Sequence, residues 1–239
     1  MATPASSVAL GSDLNGYCER PRAGGRVPAV MVLMEAYGIT AHIRNVCLRL
    51  AQAGYLALAP DFFRGTVLGY DERERVLTLL PTLRDGDLLE DLDRARAWLG
   101  AQEEVDPERI AVLGFCMGGR LAYLGGCARP EAWRAVLALY GGGIAPEGPD
   151  RFGREPPIGR SKALAAPLFL GYGADDASIP PAEHARIAEI LSGLGKRYLL
   201  AVYPGAGHGF LCEERPSHHP RASQDAWRDI LSFLANTLA

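Results

Sequence analysis

No apolar run in the chain approaches the roughly 18 residues needed to span a bilayer. The first residues, MATPASSVALGSDLNG, hold neither a basic start nor the apolar stretch of an export signal, so a cytoplasmic location is expected. An excess of one charge is also missing. The net charge is −3 over 239 residues, with acidic and basic side chains interspersed, which argues against nucleic acid as the main partner. The five cysteines, at positions 18, 47, 116, 127 and 212, lack CxxC spacing and are odd in number. Neither a disulfide framework nor a zinc site is therefore expected. The chain has no internal repeat, no low-complexity tract and no linker, which points to a single domain over residues 1–239. Hydrophobic residues at 48% and charged residues at 22% supply the material for a full core.

What the chain does hold is a series of short apolar runs, each closed by glycine, proline or a polar turn. Residues 27–34 (VPAVMVLM), 55–59, 110–113, 135–140, 167–172 and 197–203 read as strands, the most apolar of them as strands buried on both faces. Helical spacing of apolar residues predicts helices from Thr40, as N-cap, to about residue 53, then over 85–101, 119–126, 181–192 and 223–238. The last of these turns Trp227, Ile230, Leu231 and Phe233 towards the core. A hairpin is expected within residues 1–25, ending at Gly24-Gly25, and a surface loop over 145–161, where Pro, Gly and Arg concentrate. Strands alternating with helices predict a mostly parallel, twisted α/β sheet of about seven or eight strands with helices on both faces. Reactive groups in such sheets collect beyond the C-terminal strand ends.

Residues 109–120 read RIAVLGFCMGGR. Here the apolar run meets a helix-compatible segment at Gly114-Phe115-Cys116-Met117-Gly118, a Gly-x-nucleophile-x-Gly turn between strand and helix. The central residue of such a turn is held in a strained backbone conformation, and side chains beside it would collide with the crossing strand and helix. Cys116 would stand at a helix N-terminus, where the dipole lowers a thiol pKa and backbone N–H groups face a developing oxyanion. A free cysteine is commonly just a small buried hydrophobe, so the rest of the chain has to decide its role.

Two further residues follow strands. Asp176 lies in Asp175-Asp176-Ala177-Ser178-Ile179-Pro180, after 167–172, and His208 in Gly207-His208-Gly209-Phe210, after 197–203. Singly, the histidine reads as a loop residue and the aspartate as an Asx-turn residue. With Cys116 they make nucleophile, acid and base in the chain order of an α/β-hydrolase fold. His208 would take the thiol proton and later deliver it to the leaving group, and Asp176 would fix the imidazole tautomer. Asp175 competes for that last role, and the deeper place of Asp176 in the turn before Ile179-Pro180 favours the second aspartate. The oxyanion should meet the backbone N–H of Met117, with a second donor, Ala36, from the loop after the 27–34 strand.

These pieces resemble the dienelactone hydrolase (carboxymethylenebutenolidase) family over essentially the whole chain. The matching segments are MEAYG at 34–38, AGYLALAPDFF at 53–63, DERER at 71–75, VLGFCMGG at 112–119, DDASIP at 175–180 and AGHGF at 206–210. The resemblance implies hydrolysis of an enol-lactone or related activated ester, a small-molecule substrate, no cofactor and a monomer. It also implies that Glu35 contacts the thiol and helps deprotonate it as substrate binds, since an ordinary thiol is only a few per cent thiolate at neutral pH. The plainer reading of Glu35 is a carboxylate paired with a nearby arginine, because burying it unpaired is costly. The family grips a substrate carboxylate with two arginines. The first maps onto Arg75; the second position, four residues after the histidine, is Cys212 here, with Arg215 a little further on. Tyr37, Tyr140 and Phe210 complete the expected substrate-binding set. Losing one arginine of a clamp forfeits a charge-assisted hydrogen bond of about 1.5–3 kcal/mol, which suggests a substrate less acidic or larger than a dienelactone. A thioesterase or general carboxylesterase would use the same triad. A redox-responsive or ligand-binding protein on this scaffold would oxidise or alkylate Cys116, but such a thiol has no need of a proton shuttle.

Overall fold

The computed structural model describes residues 6–22, 24–148 and 152–239. One sheet runs in the order β1-β2-β4-β3-β5-β6-β7-β8. Its strands are β1 (Ser6–Ala9), β2 (Asn15–Glu19), β3 (Val27–Leu33), β4 (Leu56–Pro60), β5 (Val105–Phe115), β6 (Ala135–Leu139), β7 (Leu168–Gly173) and β8 (Tyr198–Tyr203). The first two strands pair antiparallel and β2 runs antiparallel to β4, whereas every pairing from β4 through β8 is parallel. The helices are α1 (Ala41–Gln52), α2 (Arg73–Leu79), α3 (Asp85–Gly100), α4 (Met117–Ala128), α5 (Pro181–Gly193) and α6 (Pro220–Thr237). None among the described residues is long and apolar enough to cross a membrane.

Helices cover both faces of the sheet. A Cβ on Gly126 of α4 would lie 2.8 Å from Val136 on β6. Phe169, whose register partner is Leu137, packs its ring 5.6 Å from Phe233 of α6. Successive residues of a strand point to opposite faces, so α4 and α6 lie on opposite sides. The central strands are accordingly apolar throughout: Val30, Met31, Val32 and Leu33 of β3 and Ala111, Val112 and Leu113 of β5 are fully buried.

Several expectations shift. The opening hairpin turns at residues 10–14, where the Leu10 N–H bonds the Leu14 carbonyl at 2.8 Å, and Gly24-Gly25 leads instead into β3. Residues 1–5 and 23 of the expected hairpin, and 149–151 of the expected loop, lie outside the described residues. The remainder of that loop closes in a 3₁₀ turn, Pro157–Ala163, around the fully buried Ser161. β5 starts at Val105, ahead of the apolar run, and α6 starts at Pro220, ahead of Ser223. Proline suits a first helical turn, and the His219 ring accepts a hydrogen bond from the Ala222 N–H at 3.2 Å, a cap that composition does not announce. Thr40 is the N-cap of α1, but its hydroxyl makes no capping bond and instead lies 3.3 Å from the Tyr70 hydroxyl. Only seven residues long, α2 is too short for periodicity to show. In α6, Trp227, Ile230 and Leu234 are buried, while Leu231 and Phe233 are only half-buried.

Register brings the C-terminal strand ends level. Leu33 pairs with Gly114, Phe115 with Leu139, Leu139 with Gly171, and Gly173 with Tyr203. Glu35, Cys116, Tyr140, Asp176 and His208 therefore all emerge along one edge. Helix α4 begins immediately after β5 and doubles back over the sheet. A Cβ on Gly114 would fall 1.9 Å from the Gly118 carbonyl oxygen, and one on Gly118 would fall 2.3 Å from the Leu33 oxygen. Those contacts are backbone to backbone and have no flexible end that could yield. Gly118→Ala is expected to lower stability by about 1–3 kcal/mol or more, a melting-temperature drop of about 2–4 °C per kcal/mol. Gly86→Ala on α3, where nothing lies within 4 Å of the added carbon, should match or slightly exceed the parent in the same thermal melt.

Candidate active site

Cys116 sits between β5 and α4 with φ 53° and ψ −115°, a conformation that L-residues avoid and that costs about 1–3 kcal/mol. Its N–H is tied to the Leu139 carbonyl at 3.0 Å. The strain lifts the side chain off the sheet. Its sulfur lies 3.1 Å from His208 Nε2, and His208 Nδ1 lies 2.7 Å from Asp176 Oδ2. The Asp176 side chain is fully buried, and its other oxygen accepts the Ser178 N–H at 2.8 Å. Of the two adjacent aspartates, Asp176 is thus the one that meets the imidazole. Both β7 and β8 end in a turn that holds these residues: the Ala174 N–H bonds the Tyr203 carbonyl at 2.9 Å and the Asp175 N–H bonds the Ala206 carbonyl at 2.9 Å.

Burial by itself draws the His208 pKa down. Negative charge on the Cys116 sulfur and the hydrogen bond to Asp176 overcome that, and the pKa is pushed up to about 10. Since the folded value is raised, the stability supplied by the imidazolium is fully present below about pH 6.5 and is lost as the pH rises through about 10. Titration of the His208 ring by NMR should therefore show a charged imidazole well above neutral pH, with a markedly lower midpoint in Cys116→Ala. An unchanged midpoint in that variant would show that the sulfur does not support the charge.

A cavity of about 440 Å³ opens above the sulfur. Ala36, Tyr37, Cys116, Met117 and His208 line it. Met117 is the first residue of α4, so its N–H is among those that a helix leaves without an internal partner. Tyr140 and Phe210 do not face the cavity, contrary to expectation. Both are fully buried, and the Tyr140 ring packs 5.3 Å from His208 and 5.6 Å from Phe210. Tyr140 thus backs the imidazole, and Phe210 backs Tyr140.

The arginines also differ from expectation. Arg75 is 64% exposed at its side chain, pairs with Glu72 and does not line the cavity, whereas Arg73 does. Two residues on a helix lie some 200° apart, so when Arg73 faces inward Arg75 faces out. Arg73 has no ion pair among the described residues. Cys212 is buried, its Sγ–H donating to the Tyr70 hydroxyl at 3.1 Å. Arg215 lines the cavity, with its guanidinium 5.7 Å from the Tyr37 ring and 5.9 Å from the Tyr70 ring. Gly209, at φ 74°, makes this possible, since a Cβ there would lie 2.1 Å from Arg215 Nη1.

Glu35 is 1% exposed, and its carboxylate faces Arg215 Nη1 at 3.5 Å. Neither carboxylate oxygen has a hydrogen-bond partner, and in this geometry the carboxylate faces the guanidinium, the pairing of the plainer reading. Burial opposes the Arg215 charge, and the carboxylate of Glu35 and the sulfur of Cys116 more than restore it. Beside Glu35 stands His42, from the first turn of α1, whose pKa is drawn down by burial. No spacing rule singled out His42, because its neighbours come from distant parts of the chain.

A thiol on a strained strand–helix turn, with an imidazole and a buried carboxylate behind it on an eight-stranded sheet, defines an α/β-hydrolase. Within that class the chain belongs to the dienelactone hydrolase family, which it matches over residues 14–238. A Synechocystis sp. relative, provisionally named a carboxymethylenebutenolidase, is 34% identical over 93% of this chain and 92% of its own. A Bradyrhizobium sp. relative, provisionally named a 2-oxo-3-(5-oxofuran-2-ylidene)propanoate lactonase, is 33% identical over 91% of this chain and 87% of its own. A crystal structure from Klebsiella pneumoniae, provisionally titled a dienelactone hydrolase, superposes with a TM-score of 0.88 at 32% identity, covering 97% of this chain and 98% of that one. The chain is accordingly a carboxylic ester hydrolase that is similar to lactone-cleaving enzymes.

Proposed function

We propose that the protein opens a lactone that bears a carboxylate, through a covalent acyl-enzyme on Cys116. The carrying observation is the unbroken Cys116–His208–Asp176 line, at 3.1 and 2.7 Å, facing the cavity. The Cys116 thiolate attacks the lactone carbonyl to give a tetrahedral oxyanion, which the Met117 and Ala36 N–H groups receive. Collapse breaks the ring C–O bond, and the imidazolium of His208 protonates the departing oxygen. That oxygen remains tethered to the acyl group, because a lactone carries its own leaving group. Water, deprotonated by His208, then attacks the thioester, releasing the hydroxy or keto acid and restoring the pair. Asp176 keeps the ring in the tautomer that presents Nε2 to sulfur.

Arg215 and Arg73 supply the positive charge that a substrate carboxylate requires, in place of the expected Arg75 and the arginine missing at position 212. A carboxylate arriving at Arg215 competes with Glu35 for the guanidinium.

With an activated aryl ester as substrate, Cys116→Ala and His208→Ala are each expected to lose about 10³-fold or more in kcat. Full activity in Cys116→Ala would overturn the nucleophile assignment. For the acidic arm, Arg215→Met should raise KM for a carboxylated enol-lactone by roughly 10-fold or more, corresponding to about 1.5–3 kcal/mol, while changing KM for a neutral ester little. Arg75→Met should leave both values unaltered. Equal effects of Arg215→Met on acidic and neutral substrates would remove the carboxylate from the reading.

A further inference from the structure

Three ionisable side chains from distant parts of the chain meet behind Arg215, which itself lines the cavity. Glu35 lies just beyond the end of β3, His42 in the first turn of α1, and Cys212 in the segment after β8. All three are buried, at 1%, 7% and 0% exposure, and their ligand-capable atoms lie within 4.8 Å of one another. Both Glu35 oxygens and His42 Nε2 lack any hydrogen-bond partner. Buried polar atoms in folded proteins are nearly always satisfied, so His42 Nε2 and the Glu35 oxygens, which have only the Arg215 guanidinium at 3.5 Å, leave room for a further partner.

We propose that Glu35, His42 and Cys212 form a binding site for a borderline-soft divalent cation, with zinc as the preferred ion. A carboxylate, an imidazole and a thiol share one common acceptor of electron pairs, a metal of this kind; thiolate and imidazole disfavour calcium and magnesium. Three protein ligands and one water make the ordinary tetrahedral zinc set, with bonds of about 2.0–2.3 Å. The ligand-capable atoms, within 4.8 Å of one another, have to draw inward to reach those bond lengths. The charges balance: carboxylate and thiolate offset the two positive charges, and Cys212 releases its proton to solvent as the metal binds. Its hydrogen bond to Tyr70 is exchanged for the metal bond. Arg215 is the competing cation. It stands 3.5 Å from Glu35 on the cavity side, with Tyr37 and Tyr70 beside it, so metal and guanidinium exclude one another at the same carboxylate.

The catalytic pair is itself a soft site, and zinc held between Cys116 and His208 has to be separated from zinc held here. Zinc uptake is therefore measured calorimetrically in Cys116→Ser protein, which also makes the result independent of the reaction proposed above. Cobalt(II) provides the second probe, because its thiolate charge-transfer band reports a sulfur ligand. The expected result is one ion per chain with that band present. Adding His42→Gln or Cys212→Ser should weaken uptake at least about tenfold, and Cys212→Ser should also abolish the band. Thermal melts establish that each protein is folded; where one is not, His42→Asn or Cys212→Ala is read in its place. Absence of uptake by folded Cys116→Ser protein, or a band that survives loss of Cys212, overturns the site.

Discussion

The carbonyl oxygen of Leu33 lies 2.3 Å from the point where a methyl on Gly118 would have to stand, and that of Leu139 lies 2.6 Å from the equivalent point on Gly119. Helix α4 therefore crosses β3 and β6 with no side chains between the backbones. This close crossing leaves the chain no room to leave β5 gradually. The reversal is compressed into one residue, Cys116, at φ 53°. Strain at that residue, the exposure of its sulfur and the placing of the α4 N-terminus beneath it all follow from this one steric fact. The cost falls on the fold, and the sheet's fully buried central strands are what sustain it.

Around the sulfur, two electrostatic pairs share a confined space. One is the imidazole of His208 with the sulfur of Cys116, steadied by an aspartate that no solvent reaches. The other is Glu35 with Arg215. They differ in how well each is satisfied. Asp176 accepts hydrogen bonds at both oxygens, whereas Glu35 accepts none and faces its arginine at 3.5 Å. A fully bonded carboxylate fixes its partner's position. A poorly bonded one is ready to exchange partners, because little is lost when it leaves. The first pair is thus suited to positioning and the second to exchange, the property on which both the proposed carboxylate binding at Arg215 and the proposed cation site at Glu35 draw.

Much of this was legible beforehand, and the reasons are local. The strands from β3 to β7 announced themselves as apolar runs closed by glycine or proline, since a strand covered on both faces has no polar side to hide. The elbow showed its glycines because no other residue fits. Cys116, Asp176 and His208 were found by order, each just beyond a strand. The misses are equally physical. Arg75 and Arg73 are both charged and two residues apart, and nothing local tells which one a short helix turns inward. Tyr140 and Phe210 follow strands as substrate-binding aromatics do, yet the packing of α6 and the His208 loop leaves Tyr140 behind the imidazole and Phe210 behind Tyr140. Thr40 has the composition of a cap, but its hydroxyl oxygen accepts from the Tyr70 hydroxyl instead.

By itself the sequence determined the alternating α/β architecture, the sharp turn at Cys116, the identity of the thiol, imidazole and carboxylate, and membership of the family. Each of these depends on neighbours along the chain or on the order of elements, and periodicity and spacing report both. Only the tertiary structure decided which arginines face the cavity, that Glu35 faces Arg215, and that Glu35, His42 and Cys212 stand together. Those facts concern distances between residues up to 180 positions apart, which are set by strand register and by the direction in which each side chain leaves its backbone. Neither quantity leaves a mark on the local pattern of residues.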